Sequence, residues 1–275
     1  MGRGRGPATY NPAMTTTQHA AAVQPVAQTT ISTDTAGLDA GDIRVATKDG
    51  TIAAYYAKPA GGKNLPIVLL VHEIWSVHEY FKDLCRRLGK LGYLAVAPDL
   101  FGRQGDVTNL ERDDIFKIVT RVPDAQVMSD LDAAAAWAVA KGGDRARIAA
   151  TGFCWGGRII WLYAAHSRDL KAGVAWYGKV EGTPDDLHPR LPIHVVAELH
   201  APVLGLYGGA DAGIPNDGVD RMRAALKAAN KPSEIHTYPD MPHAFHADYR
   251  PSYRKEAAED GWRRMLDWFK RHGVA

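Results

Sequence analysis

Hydrophobic residues along the chain follow two periods, one typical of strands and one typical of helices. Residues 42–59 alternate between polar and apolar positions around Asp49-Gly50, a dipeptide that favours a two-residue hairpin turn. The run PIVLLVHEI at 66–74 is almost continuously apolar, as expected of a strand that is buried on both faces of a sheet. Residues 79–92 then have apolar positions at helical spacing and end in a glycine that suits helix termination.

The same alternation of segments continues to the end of the chain. Further strands are predicted at 93–100, 147–153, 172–178, 202–209 and 234–239, and further helices at 124–141, 156–166, 218–230 and 252–273. Strands that alternate with helices in this way favour a parallel sheet. The pattern therefore predicts an α/β fold, with a mostly parallel sheet of about eight strands and helices on both faces.

Residues 1–41 lack this regularity. They are rich in Thr, Ala and Gln, and they contain no continuous apolar stretch that would serve as an export signal. We expect a flexible leader at 1–41, either a tag or the remnant of a signal, followed by a single domain at 42–275. A cytoplasmic location is expected, and a periplasmic one is the alternative if the leader derives from an export signal.

Composition and charge exclude several classes of function. The chain has 275 residues, a formal net charge of +2 and 46% hydrophobic residues, without a basic stripe for nucleic acid or about 18 consecutive apolar residues for a membrane. The two cysteines, Cys85 and Cys154, suggest neither a disulfide framework nor a zinc site. We expect no metal, cofactor, nucleic acid or membrane partner, and a monomer or weak homodimer that binds a small molecule.

The segment GFCWGG at 152–157 lies between a predicted strand and a predicted helix, which is the context of a nucleophile elbow. Gly152 and Gly156 would let the strand and helix approach closely. The positive end of the helix dipole would favour a thiolate at Cys154. The other interpretation of Cys154 is a small buried residue at a tight turn.

Two later residues are candidate partners of this cysteine. Asp211 follows the predicted strand at 202–209, and His243 follows the strand at 234–239. Carboxyl ends of parallel strands meet at one edge of a sheet, where ligands usually bind. Because the order of nucleophile, acid and histidine is that of α/β hydrolases, we predict a triad of Cys154, His243 and Asp211.

Several segments together resemble the dienelactone hydrolase family of the α/β-hydrolase fold, whose members use a cysteine nucleophile. They are HEIW at 72–75, APDLFGRQGD at 97–106, GFCWGG at 152–157, WYG at 176–178, GGADAGIP at 208–215 and MPHAFHADYRPSY at 241–253. The resemblance implies a hydrolase of small esters or lactones that forms an acyl-thioester. The alternatives are a broad carboxylesterase with a neutral-ester pocket and a catalytically silent binding protein of the same fold.

Further roles are implied around the nucleophile. The elbow predicts that the backbone N–H of Trp155 forms half of an oxyanion hole, and the resemblance assigns the other half to the N–H of Ile74. The resemblance also makes Glu73 a regulator that contacts the thiol and helps to generate the thiolate. The other interpretation of Glu73 is a solvated loop residue or a member of a structural ion pair.

The resemblance also implies two substrate-binding residues. Arg103 matches an arginine that binds the substrate carboxylate, and Tyr177 matches a tyrosine that lines the pocket. A surface arginine and a core tyrosine are the alternatives. Members of the family carry a second carboxylate-binding arginine about four residues after the histidine, where this chain has Ala247. Arg250 lies nearby but does not align with that arginine.

Overall fold

An eight-stranded sheet forms the centre of the protein in a computed structural model, which describes residues 26–275. The strands are β1 (Leu38–Thr47), β2 (Gly50–Pro59), β3 (Leu65–Val71), β4 (Leu94–Pro98), β5 (Gly143–Phe153), β6 (Leu170–Trp176), β7 (Val203–Gly208) and β8 (Glu234–Tyr238). Their order across the sheet is β1-β2-β4-β3-β5-β6-β7-β8. β2 runs antiparallel to both of its neighbours, and all other neighbouring strands are parallel. This confirms the predicted α/β-hydrolase fold.

Helices connect the parallel strands and cover the sheet. They are α1 (Glu79–Lys90), α2 (Arg112–Val119), α3 (Asp124–Ala140), α4 (Trp155–His166), α5 (Asn216–Ala228) and α6 (Lys255–Arg271), with short 3-10 turns at Pro192–His194 and Val196–Glu198. None of the helices described between residues 26 and 275 is long and apolar enough to cross a membrane.

The centre of the sheet is fully buried, which explains its continuous apolar sequence. Every residue from Ile67 to Val71 is inaccessible to solvent, and all of β4 is buried. Each such aliphatic side chain contributes about 1.5–3 kcal/mol through burial. The strands are therefore a rigid base for the loops that follow them.

Two elements differ from the sequence prediction. β3 ends at Val71 and not at residue 74, because its backbone pairing with β5 stops at Val71 opposite Gly152. The helix α2 was not predicted, since its eight residues make only about two turns and bury only three side chains.

The expected boundary between leader and domain, at residues 41 and 42, falls within β1. All ten residues of β1 pair with β2, from Leu38 opposite Pro59 to Thr47 opposite Gly50. Residues 26–37 also make hydrogen bonds with later parts of the chain. The rest of the expected leader, residues 1–25, lies outside the described residues.

Candidate active site

The Cys154 backbone adopts an unusual conformation at the sharp turn between β5 and α4. Its φ of 56° and ψ of −114° lie outside the regions that non-glycine residues favour. Its N–H donates to the carbonyl of Trp176 at 3.0 Å, which ties the turn to the end of β6. The thiol is consequently held at the carboxyl edge of the sheet, where it is half-buried.

The glycines on both sides of Cys154 are required by close packing. A Cβ atom on Gly152 would lie 2.4 Å from the carbonyl oxygen of Gly156. One on Gly156 would lie 2.3 Å from the carbonyl oxygen of Val71. Both distances are far below van der Waals contact, so α4 can start this close to β5 and β3 only with glycine at both positions.

His243 and Asp211 come from the loops after β8 and β7 and form a short hydrogen bond. His243 Nδ1 and Asp211 Oδ2 are 2.6 Å apart, and the Asp211 side chain is only 1% exposed. Asp211 Oδ1 accepts a second hydrogen bond from Gly213 N at 2.8 Å, which fixes the carboxylate. The imidazole is 36% exposed, so its other edge remains accessible.

The electrostatics of His243 link it to both predicted partners. Burial by itself lowers the pKa of His243, but hydrogen bonds with Asp211 and Cys154 outweigh burial and raise this pKa to about 10. The structure thus brings Cys154, His243 and Asp211 together. At neutral pH the raised pKa keeps the His243 ring protonated, so it can give up a proton.

The two amides of the predicted oxyanion hole lie on segments that touch each other. A Cβ on Gly156 would come within 2.6 Å of the carbonyl of His72, so the loop carrying Ile74 passes beside the elbow. Among the backbone hydrogen bonds outside helices and strands in residues 26–275, none is donated by Ile74 or Trp155. The Trp155 ring stacks on His72 with centroids 5.6 Å apart, which holds the two segments together.

Glu73 is buried, with only 2% of its side chain exposed, and it has two direct partners. The Tyr249 hydroxyl donates to Oε1, and His78 Nε2 lies 3.3 Å from the same oxygen. Burial by itself raises the pKa of Glu73, but His78 and the charge of Arg250 lower it overall, so the carboxyl group is ionised. Within residues 26–275 it makes no hydrogen bond with Cys154. The carboxylate is turned toward Tyr249 and His78, and the expected contact with the thiol stays a prediction.

Tyr177 lies directly against the histidine. Its ring centroid is 5.1 Å from that of His243, and its backbone has a positive φ of 37°. The hydroxyl group is buried and has no hydrogen-bond partner among the described residues. Burial, followed by the negative charges of Glu73 and Cys154, raises the pKa of Tyr177 well above its usual value. The hydroxyl therefore stays protonated and can donate to a ligand.

Arg103 has a different environment from the one expected. Its guanidinium forms an ion pair with the buried carboxylate of Asp130 and donates to Thr47 Oγ1 at 3.1 Å. These contacts turn the group toward the hairpin and α3. The structure does not show this arginine in contact with Cys154, His243 or Asp211.

Arg250 is a functional candidate that the sequence analysis noted but did not assign. Although burial by itself lowers the pKa of Arg250, interactions with Glu73, Tyr249 and Cys154 raise it overall. In the described part of the chain its guanidinium forms neither an ion pair nor a hydrogen bond. Ala247, three residues earlier, is buried and has no side-chain group that could bind an anion. The signal in the sequence was a single arginine in the loop that follows His243.

A cavity of about 500 Å³ opens beside the loops that carry Tyr177 and Asp211. Its walls include the aliphatic side chains of Val180, Ile193 and Ile214 and the charged Lys179. Lys179 is two residues from Tyr177 in the sequence. Gly213, which forms part of the cavity wall, donates a backbone hydrogen bond to Asp211. The cavity walls mix apolar and charged side chains, and the candidate residues themselves do not line it.

Known proteins resemble this chain over most of its length. A model of the dienelactone hydrolase family matches residues 52–273. A protein of Methylorubrum extorquens named "Putative carboxymethylenebutenolidase" is 58% identical over 263 residues, which cover 94% of this chain and 90% of the relative. A crystal structure titled "Putative Dienelactone Hydrolase" from Klebsiella pneumoniae is 52% identical with a TM-score of 0.83, covering 85% of this chain and 98% of that one.

A more distant relative has a name that specifies its reaction. A Bradyrhizobium protein named "Probable 2-oxo-3-(5-oxofuran-2-ylidene)propanoate lactonase" is 30% identical over 246 residues, covering 88% of this chain and 97% of the relative.

Proposed function

The chain belongs to the dienelactone hydrolase family and is a hydrolase, and we propose that it hydrolyses small esters or lactones through Cys154, His243 and Asp211. The observation that carries this proposal is the position of His243, hydrogen-bonded to Asp211 and close enough to Cys154 for the sulfur to affect its pKa. A nucleophile, a base and an orienting acid in this arrangement are the parts that acyl transfer requires.

In the proposed reaction the Cys154 thiolate attacks the carbonyl carbon of the substrate and forms a carbon–sulfur bond and an oxyanion. When this intermediate collapses, the bond to the alkoxide breaks, and the alkoxide takes the proton of the His243 imidazolium. Water then attacks the acyl-thioester while His243 takes one of its protons. The carboxylic acid leaves, the imidazolium is restored, and Glu73 returns a proton to the sulfur. With a lactone, the alcohol remains part of the released acid.

The oxyanion would be stabilised by the amides of Trp155 and Ile74. Donors that are already oriented toward the developing charge are worth about 2.7–4 kcal/mol each in other acyl-transfer enzymes. Support comes from the contact between the elbow and the loop after β3, together with the absence of other acceptors for these amides outside the helices and strands of residues 26–275.

Glu73 is proposed to regulate the thiol by changing partners. In the described conformation its carboxylate is held by Tyr249 and His78. A substrate that displaces either partner would let the carboxylate approach the sulfur and accept its proton. A thiol that is activated only in this way would resist oxidation between turnovers.

The substrate pocket is proposed to contain Tyr177 and Arg250. Tyr177 offers a buried hydroxyl without a partner among residues 26–275, and Arg250 offers a positive charge close to Cys154 and Glu73. These groups suit a substrate with an acidic or strongly polar substituent. The Bradyrhizobium relative, whose name describes a lactone with a carboxylate, supports this class of substrate. Because Arg103 is paired with Asp130, Arg250 is the better candidate for the anion.

The proposal is tested with a p-nitrophenyl ester, before and after treatment with iodoacetamide. Wild type should lose activity on alkylation, and Cys154→Ala should lose turnover by several orders of magnitude. Cys85→Ala is the matched control, because Cys85 is fully buried and burial raises the pKa of its thiol. This variant should keep its activity and remain sensitive to alkylation. Full turnover by Cys154→Ala would refute the proposal.

A second panel compares the two kinds of substrate. An aryl ester with a carboxylate on the acyl chain, its neutral methyl-ester analogue, and both isomers of a dienelactone would be hydrolysed in parallel. Preference for the anionic members supports the pocket described above. Equal rates for all of them favour a broad carboxylesterase.

A further inference from the structure

We infer that residues 26–33, which we term the N-terminal strap, position the loop 244–250 and thereby hold Tyr249 and Arg250 beside Glu73. The inference rests on the proposed function of Cys154, since the effect reaches the reaction through the charges next to this thiol. The strap was expected to be part of a flexible leader, and its contacts give it a specific role.

Two hydrogen bonds join the strap to two consecutive residues of the loop. Val26 N donates to the carbonyl of Tyr249 at 3.3 Å, and Thr29 Oγ1 donates to the carbonyl of Asp248 at 2.6 Å. Tyr249 and Asp248 are thus held by groups more than 200 positions away in the sequence.

The other end of the strap is fixed on α1. Thr33 N donates to Asp83 Oδ1 at 2.5 Å, and Arg86 Nε donates to the carbonyl of Thr33 at 2.7 Å. Both partners belong to a rigid helix that packs on the sheet. Because one end is anchored in this way, the strap can restrain the loop and does not simply follow it.

A buried ion pair completes the connection between α1 and the loop. Arg87 bridges Asp83 and Asp248, and the Asp248 side chain is only 2% exposed. Burial raises the pKa of Asp248 overall, although Arg87 and the Ile31 amide oppose this effect. A buried carboxylate of this kind depends on its ionic partner, and the strap holds the backbone of the same residue through Thr29.

The loop itself has little regular structure to hold its shape. It consists of successive turns, with Ala247 N donating to Ala244 O at 3.0 Å and Arg250 N donating to Ala247 O at 2.9 Å. Ala244 has a positive φ of 58°. Turns of this kind move more readily than a helix, so contacts from outside decide where Tyr249 and Arg250 lie.

The positions of these two residues matter for the thiol. Tyr249 donates to Glu73, and the charge of Arg250 interacts with both Glu73 and Cys154. If the loop loosens, Tyr249 no longer holds the Glu73 carboxylate and the guanidinium moves away from the site. Turnover then slows.

The test uses two neighbouring threonines with different partners. Thr29→Val removes the hydroxyl that reaches Asp248, whereas Thr30→Val removes one that bonds to Val26 O at 2.9 Å within the strap itself. Loss of one hydrogen bond of this kind should lower kcat of Thr29→Val by about three- to tenfold. Thr30→Val should match wild type, and Thr29→Ser, which keeps the hydroxyl, should restore activity.

Two further readouts separate positioning from simple stability. The rate at which iodoacetamide alkylates Cys154, measured over a range of pH, should differ between Thr29→Val and Thr30→Val at a temperature where both variants are fully folded by circular dichroism. If the two variants have the same kcat and the same alkylation profile, the inference is wrong. It is equally wrong if Thr29→Val loses activity only in proportion to its unfolded fraction.

These outcomes are distinct from failure of the proposed function. An active Cys154→Ala variant would remove the catalytic role of the thiol, whatever the threonine variants do. If Cys154→Ala is inactive and Thr29→Val behaves as wild type, the proposed function stands and the strap has no positioning role.

Discussion

The charge on Asp211 is expected to determine when His243 loses its proton. Asp211→Asn keeps the shape of the side chain but removes its negative charge, and its amide nitrogen can face Nδ1 as a donor. The imidazolium then loses a hydrogen-bonded counter-ion 2.6 Å away. We expect the pKa of His243 to fall, and the unproductive tautomer to be favoured.

The magnitude follows from the pKa of His243. A rise from the usual 6.5 to about 10 corresponds to roughly 5 kcal/mol, at about 1.4 kcal/mol per unit. Because the side chain is 36% exposed, solvent screening reduces this to about 2–3 kcal/mol, shared between Asp211 and Cys154. Asp211→Asn should therefore lower the pKa of His243 by about one unit and kcat by about 100-fold or more.

The assay is an NMR titration of the histidine ring nitrogens, with His243→Gln used to assign the His243 signal. The raised pKa means that His243 is charged below this value and neutral above it, so the wild-type signal should titrate well above the usual 6.5. The midpoint should move down in Asp211→Asn and also in Cys154→Ala. A wild-type midpoint near 6.5, or the same midpoint in wild type and Asp211→Asn, would refute the reasoning.

Three other variants test separate parts of the account. Arg250→Gln should raise KM for an anionic ester by about tenfold and leave KM for a neutral ester unchanged. Arg103→Gln should lower the melting temperature, because it strands a buried carboxylate, without changing either KM. Tyr177→Phe should raise KM by about three- to tenfold but preserve or increase the melting temperature, since the lost hydroxyl has no partner among the described residues. Gly156→Ala should lower the free energy of unfolding, measured in urea, by about 2–3 kcal/mol. Gly41→Ala is its control, because there is open space around the Cβ position of Gly41.

The sheet and the predicted triad could be inferred from sequence because each depends on local patterns. β3 and β4 are continuously apolar since both faces are buried. The elbow at Cys154 is marked by two glycines that packing requires. Asp211 and His243 each follow a strand, and parallel topology carries them to the same edge of the sheet.

The surroundings of the thiol could not be inferred in the same way. Tyr249 reaches Glu73 across 176 positions of sequence, and Thr29 reaches Asp248 across 219. The spacing of hydrophobic and polar residues within a segment carries no information about contacts between such distant residues. Arg103 was identified from a motif that matches the family, but its guanidinium forms an ion pair with Asp130. A motif can identify a residue without specifying which partner its side chain contacts.

The central claim is that the Cys154 sulfur carries the acyl group during turnover. The direct measurement is intact-protein and peptide mass spectrometry of enzyme that is acid-quenched within the first turnover of an ester with a slowly released acyl group. We predict an adduct with the mass of the acyl group on the peptide that contains Cys154, released by hydroxylamine and absent in Cys154→Ala. Turnover without any adduct on this peptide, together with an active Cys154→Ala variant, would contradict the claim.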